Sequence, residues 1–381
     1  MKKTLTAIGA LALGTSHAFA GGIERAPQSL NILFEPGNYV EFSLGGVDPT
    51  VKGRDLPIFG GSAIGDITQG YGFVGLAYKH QFNENLSGAI LLEQPYGADI
   101  LYPGSATTSA LGGTRVEVNS TSLTGVLRYK FDNNFSLHGG LRASKASGHV
   151  RLSGLAYGAL SGYDLELDDT WGMGWLAGVA YEVPDIAARV SLTYFSKVDH
   201  DFDMSESGVP WHPGLPGNSK NEVSTPRSIV LEGQTGIAKD TLLFGSVRWV
   251  EWSEFKVENI VFPFTNPMVP GALPVELVEL EDTTTYTLGV GRKFNDNWSG
   301  SVSYTYEPSK GDVISPLSPI NGRKAITVAG VYTRDNMKIT TGISYMKLGK
   351  SDLGTGNPRT PRAEVTDADA WGIGVRVGYS F

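Results

Sequence analysis

The 381-residue sequence contains no cysteine, which excludes disulfide bonds and zinc sites built on thiolates. It also lacks an apolar run of the ~18 residues that a membrane-spanning helix needs, and its mean hydropathy is −0.10. Basic residues are outnumbered, 31 against 39 acidic, which argues against nucleic acid as a partner. Histidines are few and scattered, with no His-x-x-x-His pair. We therefore predict no catalytic site, no metal and no cofactor.

Glycine and aromatic residues are abundant instead, with 49 Gly, 16 Tyr, 16 Phe and 7 Trp. The C-terminal stretch Trp371–Phe381 shows how they are used, because its apolar residues alternate with glycine, serine and one arginine. Side chains on a strand point alternately to opposite faces, so this stretch predicts a strand with one fully apolar face. An apolar face with aromatic residues near both ends is typical of the wall of an outer-membrane barrel, although half-buried strands of a soluble sandwich also alternate.

The same alternation recurs along the chain, for example from Trp171 to Glu182. Three short connections are near-copies, Phe82–Ser87, Phe131–Ser136 and Phe294–Ser299, and they are rich in the Asn and Asp that tight turns prefer. Long loops alternate with these short turns, which is the arrangement of outer-membrane barrels. The sequence predicts an all-β, transmembrane antiparallel β-barrel of about 14 strands: 39–47, 71–82, 86–94, 116–131, 135–152, 170–183, 187–204, 223–237, 241–257, 283–294, 298–307, 323–334, 337–350 and 363–381.

The N-terminus has the pattern of a secretory signal peptide, with Lys2 and Lys3, an apolar run over 5–14 and a cleavage site at Ala18-Phe19-Ala20. Loss of residues 1–20 leaves 29 basic against 39 acidic residues, a net charge of −10. We expect residues 21–38 to form a separate N-terminal segment and residues 39–381 to form the barrel. The segment is either a disordered leader or a plug inside the barrel, and the expected location is the bacterial outer membrane.

Several blocks of the sequence resemble the FadL family of outer-membrane transporters for long-chain fatty acids and other hydrophobic molecules. These blocks are Trp171–Glu182, Trp252-Ser-Glu-Phe255, Gln94-Pro-Tyr-Gly-Ala-Asp99, Phe294–Asp312 and the C-terminal strand. The resemblance implies a fourteen-stranded barrel with an N-terminal hatch. It further implies ligand capture among the outer loops, binding in the lumen and sideways release at a kink in the third strand. The family's hatch is longer and contains Asn-Pro-Ala, where this chain has Phe34-Glu35-Pro36-Gly37.

Apolar residues in the predicted outer loops are candidates for ligand capture, because soluble loops rarely expose such side chains. They are Leu155, Tyr157 and Leu160 in one loop, Trp211 in a second, and Phe262 and Phe264 in a third. The alternative is that these loops pack on one another as a lid, and both can hold together.

A fatty acid also carries a carboxylate, which favours a nearby cation. Extending the alternation places six basic residues on the inward face, namely Arg128, Arg142, Arg189, Lys197, Arg248 and Arg376. Arg142 and Arg248 fall at mid-strand and are the predicted head-group partners. The competing interpretation is that such residues form ion-pair ladders with Glu93, Glu182 and Glu232 that fill the lumen.

Pro95 and Gly97 are the predicted lateral gate, since proline cannot donate to a strand ladder and glycine loosens it. An ordinary strand end explains them as well. The predicted cargo is a long-chain fatty acid, with uptake of aromatic or alkane hydrocarbons, a general porin or a structural surface barrel as alternatives. Expected partners are outer-membrane lipid including lipopolysaccharide and the outer-membrane assembly machinery, with a monomer as the expected state. His200 lies among Asp199, Asp201 and Asp203, which favours an acidic rim at the barrel mouth over a metal or acid–base site.

Overall fold

The computed structural model describes residues 23–25, 29–208, 217–257, 277–278, 280–356 and 358–381. Its strands are β1 Tyr39–Asp55, β2 Ala63–Ile64, β3 Tyr71–Gln81, β4 Leu86–Glu93, β5 Gly97–Leu101, β6 Arg115–Lys130, β7 Phe135–Arg151, β8 Asp164–Val183, β9 Ala188–Phe195, β10 Val198–Ser207, β11 Asn218–Thr225, β12 Ser228–Ala238, β13 Thr241–Val250, β14 Thr283–Lys293, β15 Trp298–Glu307, β16 Val313–Ile314, β17 Arg323–Arg334, β18 Met337–Leu348, β19 Asp352–Thr355 and β20 Thr360–Ser380. Short 3₁₀ turns cover Asn31–Phe34, Pro57–Phe59, Leu155–Leu160, Pro184–Ile186 and Trp252–Glu254. Within these described ranges, no helix has the length and apolar character needed to cross a membrane.

The strands form a closed, fourteen-stranded antiparallel barrel, which confirms the predicted fold class. Three wall strands are broken into two pieces each: the third is β4 with β5, the seventh is β9 with β10, and the eighth is β11 with β12. The first and last wall strands close the ring, pairing from Tyr39 with Ser380 to Asp55 with Ala363.

The near-copied turns form at one end of the barrel, as their Asn content predicts. The Oδ1 atom of Asn83 accepts hydrogen bonds from the backbone amides of Asn85 (3.0 Å) and Leu86 (2.8 Å). Asn295 repeats this geometry with the amides of Asn297 and Trp298, at 3.0 and 2.9 Å. We call this the lower end and the end with the long loops the upper end. Short turns face the periplasm in such barrels.

The lower part of the wall is apolar outside and polar inside, as the alternation predicted. Met173 and Leu141 are each 64% exposed on the outer face, a degree of exposure that fits contact with lipid. Their neighbours on the inner face, such as Arg142 and Ser144, are buried. Aromatic residues such as Trp171 and Tyr181 lie towards the two ends of this apolar band.

The upper part of the wall has the opposite polarity, which the sequence interpretation missed. On β10 the aspartates 199, 201 and 203 are exposed, whereas His200, Phe202 and Met204 are buried inside. The strands therefore continue above the lipid and enclose an apolar interior there. We call that interior the upper apolar cluster; its members include Ile23, Val51, Ile67, Ile100, Leu165, Phe202, Trp252 and Met346.

The inversion arises at breaks in the strands. Ser191 and Thr193 are buried on β9 and Val198 is buried on β10, so the inward positions change from odd to even numbers across Ser196 and Lys197. Lys197 was predicted to face the lumen, and this is wrong. Because the break moves it to the outer face, its ammonium is exposed and pairs with Asp199 at 2.9 Å.

The sixth and seventh wall strands change phase at different heights. Residues 176–183 of β8 pair with β9, and residues 164–167 of β8 pair with β10. Between these ladders Ser196 accepts a hydrogen bond from the Trp175 amide through its Oγ (2.8 Å), and Thr170 Oγ1 donates to the Asp201 carbonyl (3.1 Å). Side chains therefore replace part of the backbone ladder along this seam.

Several strand ends differ from the predicted ones. β1 continues to Asp55 and β8 begins at Asp164, because both extend into the upper region that the lipid-facing pattern does not mark. The ninth wall strand ends at Val250 rather than 257, since the chain turns into the 3₁₀ segment Trp252–Glu254.

Close approach of β6 and β7 depends on one glycine. A Cβ at Gly140 would collide with the Gly125 carbonyl oxygen and would lie 2.8 Å from the Val126 Cα. We expect Gly140→Val to lower the stability of the folded barrel by about 1–3 kcal/mol, because the added methyl groups force these strands apart. The measurement is the midpoint of urea unfolding in detergent micelles, followed by the heat-dependent shift in gel mobility.

Gly125→Val is the matched control on the neighbouring strand, because a Cβ there meets no atom within 4 Å. Equal losses in the two variants would contradict the close-approach argument.

Candidate functional site

The third wall strand is interrupted between Glu93 and Gly97. Its register against β6 shifts by one residue at this point, from Glu93 opposite Ser122 to Gly97 opposite Asn119. Such an extra residue is a β-bulge, which bends the strand and disrupts its ladder. On the β6 side, the Ser120 hydroxyl replaces the lost backbone hydrogen bonds. Its Oγ accepts from the Tyr96 amide at 2.9 Å and donates to the Tyr96 carbonyl at 2.7 Å.

The other side of the interruption leaves a window in the wall. β3 pairs with β4 over Leu76–Gln81, and no ladder pair between the described residues 71–75 and the third strand is formed. The Val74 amide donates instead to the Gln94 side chain at 3.1 Å. Above the window the chain closes again, because the Leu101 amide donates to the Ile67 carbonyl at 2.8 Å.

Residues 23–25 of the N-terminal segment occupy this window as a short additional strand. The Arg25 amide donates to the Pro95 carbonyl (2.8 Å), and the Gly97 amide donates to the Ile23 carbonyl (2.7 Å). Glu24 and Tyr96 form an antiparallel bridge between these bonds. The segment thus supplies hydrogen-bond partners for the edge of the third wall strand that β3 leaves unpaired. Backbone groups inside a membrane wall need such partners.

Glu24 connects the window to the far side of the lumen. Its carboxylate forms a two-pronged ion pair with the guanidinium of Arg248 on β13; Nη1 of Arg248 donates to one carboxylate oxygen at 2.7 Å, and Nη2 contacts the other. Both side chains are buried, with 4% and 9% of their surface exposed. A hydrogen bond between a guanidinium and a carboxylate is stronger than one between neutral groups.

Arg25 extends to the outer face of the wall. Its Nη1 donates to Asn119 Oδ1 at 3.3 Å, and its guanidinium carbon lies 5.0 Å from the centre of the Tyr71 ring. The Arg25 side chain crosses directly over Gly97, where a Cβ would collide with the guanidinium. A larger residue at 97 would therefore displace the Arg25 side chain from this position.

Residues 29–35 fill the lower lumen. Leu30, Ile32 and Leu33 are buried in a second apolar cluster with inward residues of several wall strands, among them Leu91 and Phe195. The Phe34 ring lies between two guanidinium groups, 4.5 Å from that of Arg128 and 4.1 Å from that of Arg189. Glu35 accepts from Lys338 at 2.8 Å, whereas Pro36 is exposed.

Arg142 lies in the lumen on β7 and is buried. Its Nε donates to Thr124 Oγ1 at 3.4 Å, and its guanidinium carbon is 4.9 Å from the centre of the Phe195 ring. Within the described part of the chain, no carboxylate oxygen lies within 4.0 Å of it, although Glu93 acts on it electrostatically. Of the two predicted head-group partners, Arg248 is occupied by an internal carboxylate and Arg142 is not.

The candidate capture residues separate into two groups. Residues Leu155–Leu160 form a 3₁₀ turn at the upper end; Leu155 is exposed, while Tyr157 and Leu160 pack against the upper apolar cluster. Burial raises the pKa of the Tyr157 hydroxyl, so this group stays neutral. Trp211, Phe262 and Phe264 lie outside the described residues, as do residues 1–20.

Sequence reasoning did not identify Glu24 and Arg25. The available signal was an adjacent pair of opposite charges in a segment with few other charges, just before an apolar stretch. That pattern alone does not say which wall residues the charges meet.

A family model described as outer membrane protein transport protein (OMPP1/FadL/TodX) matches residues 46–381. The chain belongs to this family. The result confirms the resemblance noted in the sequence and the outer-membrane location. The match begins within β1, so the N-terminal segment that closes the window precedes it.

Two curated relatives match part of this FadL/TodX-family chain. The long-chain fatty acid transport protein of Escherichia coli O6:H1 is 23% identical over 231 residues, which are 56% of this chain and 50% of the relative. The 47 kDa outer membrane protein of Pasteurella multocida is 24% identical over 224 residues, 54% of this chain and 50% of the relative. The chain thus matches about half the length of these relatives.

Solved structures of the family share the fold over nearly the whole chain. A FadL homologue of Pseudomonas aeruginosa superposes with a TM-score of 0.71 at 15% identity, covering 99% of this chain and 98% of the other. The toluene transporter TodX of Pseudomonas putida gives 0.63 at 14% identity, with 98% of each chain covered. At these identities the likeness establishes the fold.

Coupling between Glu24 and Arg248 in this FadL-family chain can be tested with a double-mutant cycle. Removing either charge by Glu24→Leu or Arg248→Met leaves the other buried and unpaired, which costs about 3–5 kcal/mol. Because residues 23–25 are held by only a few bonds, we expect them to leave the window while the barrel stays folded. A cysteine introduced at Ile23 reports this as faster labelling by a water-soluble maleimide, and the chain has no other cysteine.

The double variant Glu24→Leu/Arg248→Met should restore slow labelling, since neither charge remains. If the effects of the two single changes on the labelling rate simply add in the double variant, the two residues are not coupled.

Proposed function

We propose that this chain carries long-chain fatty acids across the outer membrane: outer loops capture the ligand, the lumen binds it, and the window beside the third strand releases it sideways. The observation that supports this best is the closure of the window by residues 23–25, which a carboxylate–arginine contact holds in place. A stopper held by a few hydrogen bonds and one ion pair can move without unfolding the wall. The N-terminal segment 21–38 then acts as the hatch, with Phe34, Glu35 and Pro36 at its lower end.

The Glu24–Arg248 pair gives the proposal a chemical basis. A fatty-acid carboxylate has the same charge and the same two acceptor oxygens as the Glu24 side chain. Exchange of one for the other leaves Arg248 paired throughout, which avoids the large cost of an isolated buried charge. Once displaced, Glu24 no longer anchors residues 23–25 in the window. Arg142, which faces the same lumen without a close carboxylate among the described residues, is the second proposed contact.

The upper apolar cluster supplies the route between capture and binding. Inverted wall polarity surrounds it with water-facing aspartates while its interior stays apolar. Leu155, Tyr157 and Leu160 lie at its upper side, and we assign Trp211, Phe262 and Phe264 to the same capture surface. We further propose a monomer that contacts lipopolysaccharide and requires the outer-membrane assembly machinery.

Neutral hydrocarbons are the second candidate cargo. Arg248 is already neutralised by Glu24, so a cargo without a head group has no carboxylate to displace there. The toluene transporter TodX of Pseudomonas putida has the same fold. A general aqueous porin is less well supported, because residues 29–35 fill the lower lumen.

Charge-changing variants distinguish the two cargos. Glu24→Gln leaves Arg248 unpaired, so palmitate no longer has to displace a carboxylate, and Arg248→Met removes the cation. Hydrogen bonds to a charged group contribute about 1.5–3 kcal/mol, so we expect palmitate affinity to rise about tenfold or more in the first variant and to fall by a similar factor in the second. Equilibrium binding of radiolabelled palmitate to purified protein in micelles measures both.

Hexadecane is the matched ligand, because it has the same chain length and no head group. Its affinity should change little in either variant. If the affinity for palmitate changes as little as the affinity for hexadecane in both variants, the result would argue for a hydrocarbon carrier.

Sideways release is tested by closing the window covalently. Val74 and Gln94 face each other across it, so the variant Val74→Cys/Gln94→Cys can be bridged with a short bifunctional maleimide. We expect the bridged protein to bind palmitate normally in micelles. In vesicles, palmitate should enter the bilayer no faster with the bridged protein than it does without protein.

Leu76→Cys/Leu92→Cys is the control, because these residues already pair in the intact ladder just below. A bridge there should leave delivery unchanged. Normal delivery through a bridged window would rule out this exit.

A further inference from the structure

The outer surface beside the window carries a trough without side chains on its floor. Its floor is formed by Gly70, just before β3, by Gly72 on β3 and by Gly46 on β1, and its far wall by Trp371 and Ile373 on β20 with Ile343 on β18. Gly46 is opposite Gly72 on one side and opposite Ile373 on the other, and Ile373 is opposite Ile343. These residues therefore form one row that runs across the strands, starting at the edge of the window.

Backbone geometry does not explain these glycines. A Cβ at Gly46 would lie 3.5 Å from the Tyr71 carbonyl oxygen, and a Cβ at Gly72 would lie 3.5 Å from that of Gly45, both ordinary contact distances. Neither residue has a positive φ. Neighbouring outward positions on the same strands carry large apolar groups, such as Leu44 and Val74, which are exposed to lipid. These glycines leave an open depression of about 510 Å³ in the outer surface.

We propose that this outer trough receives the alkyl chain of the cargo as it leaves the window, before the cargo diffuses into the bilayer. The inference rests on the proposed sideways release and adds a binding site to it. The trough begins where the window opens, and on its outer face the chain presents Gly70 and Gly72 between the two. An emerging chain therefore meets no side chain until it reaches Ile373, two strands or about 10 Å away.

Two features favour the tail of the cargo over a membrane lipid as the occupant. Asp48 is exposed at the upper edge of the trough, and its negative charge disfavours a phosphate or carboxylate there. The trough also runs across the strands, which in such barrels tilt by about 35–45° from the membrane normal. Lipid tails that follow the normal would cross the trough, whereas a chain emerging sideways lies along it.

The experiment uses the full protein in phospholipid vesicles, with palmitic acid that carries a diazirine at its methyl end. After irradiation, mass spectrometry of peptides locates the adducts. We expect adducts on the trough residues Ile373 and Trp371, and we expect them to disappear when the Val74→Cys/Gln94→Cys bridge closes the window.

Filling the trough gives the second readout. Gly46→Leu/Gly72→Leu should slow delivery of palmitate to the bilayer about tenfold, the effect of losing contacts to roughly two methylene groups, while palmitate binding in micelles is unchanged. Gly125→Leu/Gly330→Leu is the matched control. Both of these glycines face lipid in fully paired wall and have no atom within 4 Å of an added Cβ.

The outcomes separate the two proposals. If the filled trough delivers palmitate as fast as the control while the bridged window still blocks delivery, the trough is wrong and sideways release stands. If the bridge has no effect on delivery, sideways release fails and the trough fails with it. If a diazirine-labelled phosphatidylethanolamine labels the trough strongly in bridged protein and the fatty acid does not label it in open protein, the occupant is a membrane lipid and the inference is overturned.

Discussion

Backbone hydrogen bonding inside a membrane is the constraint on which this structure depends. Without water in the hydrocarbon layer, each wall amide and carbonyl needs a partner within the protein. Fourteen strands meet this requirement by closing on themselves, with β1 against β20. Within the described part of the wall, the third strand departs from it between Glu93 and Gly97, because Pro95 lacks an N–H group and the bulge turns β5 away from β3. The N-terminal residues 23–25 supply the missing partners.

The wall also changes polarity along its height. An irregular break in a strand can exchange its two faces even where the register with the neighbouring strands is kept, so the same alternating sequence can present apolar groups to lipid below and to the interior above. Ser196 and Lys197 mark such a point on the seventh strand. The result is an apolar interior above the lipid-facing part of the wall, enclosed by strands whose outer face is polar.

Charges in the lumen are arranged in pairs that link the N-terminal segment to the wall. Glu24 with Arg248 and Glu35 with Lys338 bracket the segment, and Phe34 lies between two guanidinium groups. Buried ion pairs of this kind add little net stability, because desolvation offsets much of their attraction. Their value lies in specificity, since each pair fixes the segment at one place, and in exchange, since a second carboxylate can replace the first. Both properties suit the proposed role of the segment as a hatch that cargo displaces.

The sequence by itself determined the barrel, its strand number and the inward or outward direction of most lower-wall residues, because a period of two on a half-lipid surface is a local property of the chain. It also marked Pro95 and Gly97, since their backbone chemistry is local too. Only the tertiary structure decided that Glu24 meets Arg248, that Lys197 faces outward and that Gly46 and Gly72 form one bare row. Those facts depend on breaks within strands and on register between strands far apart in sequence, and neither leaves a trace in the alternation of apolar and polar residues.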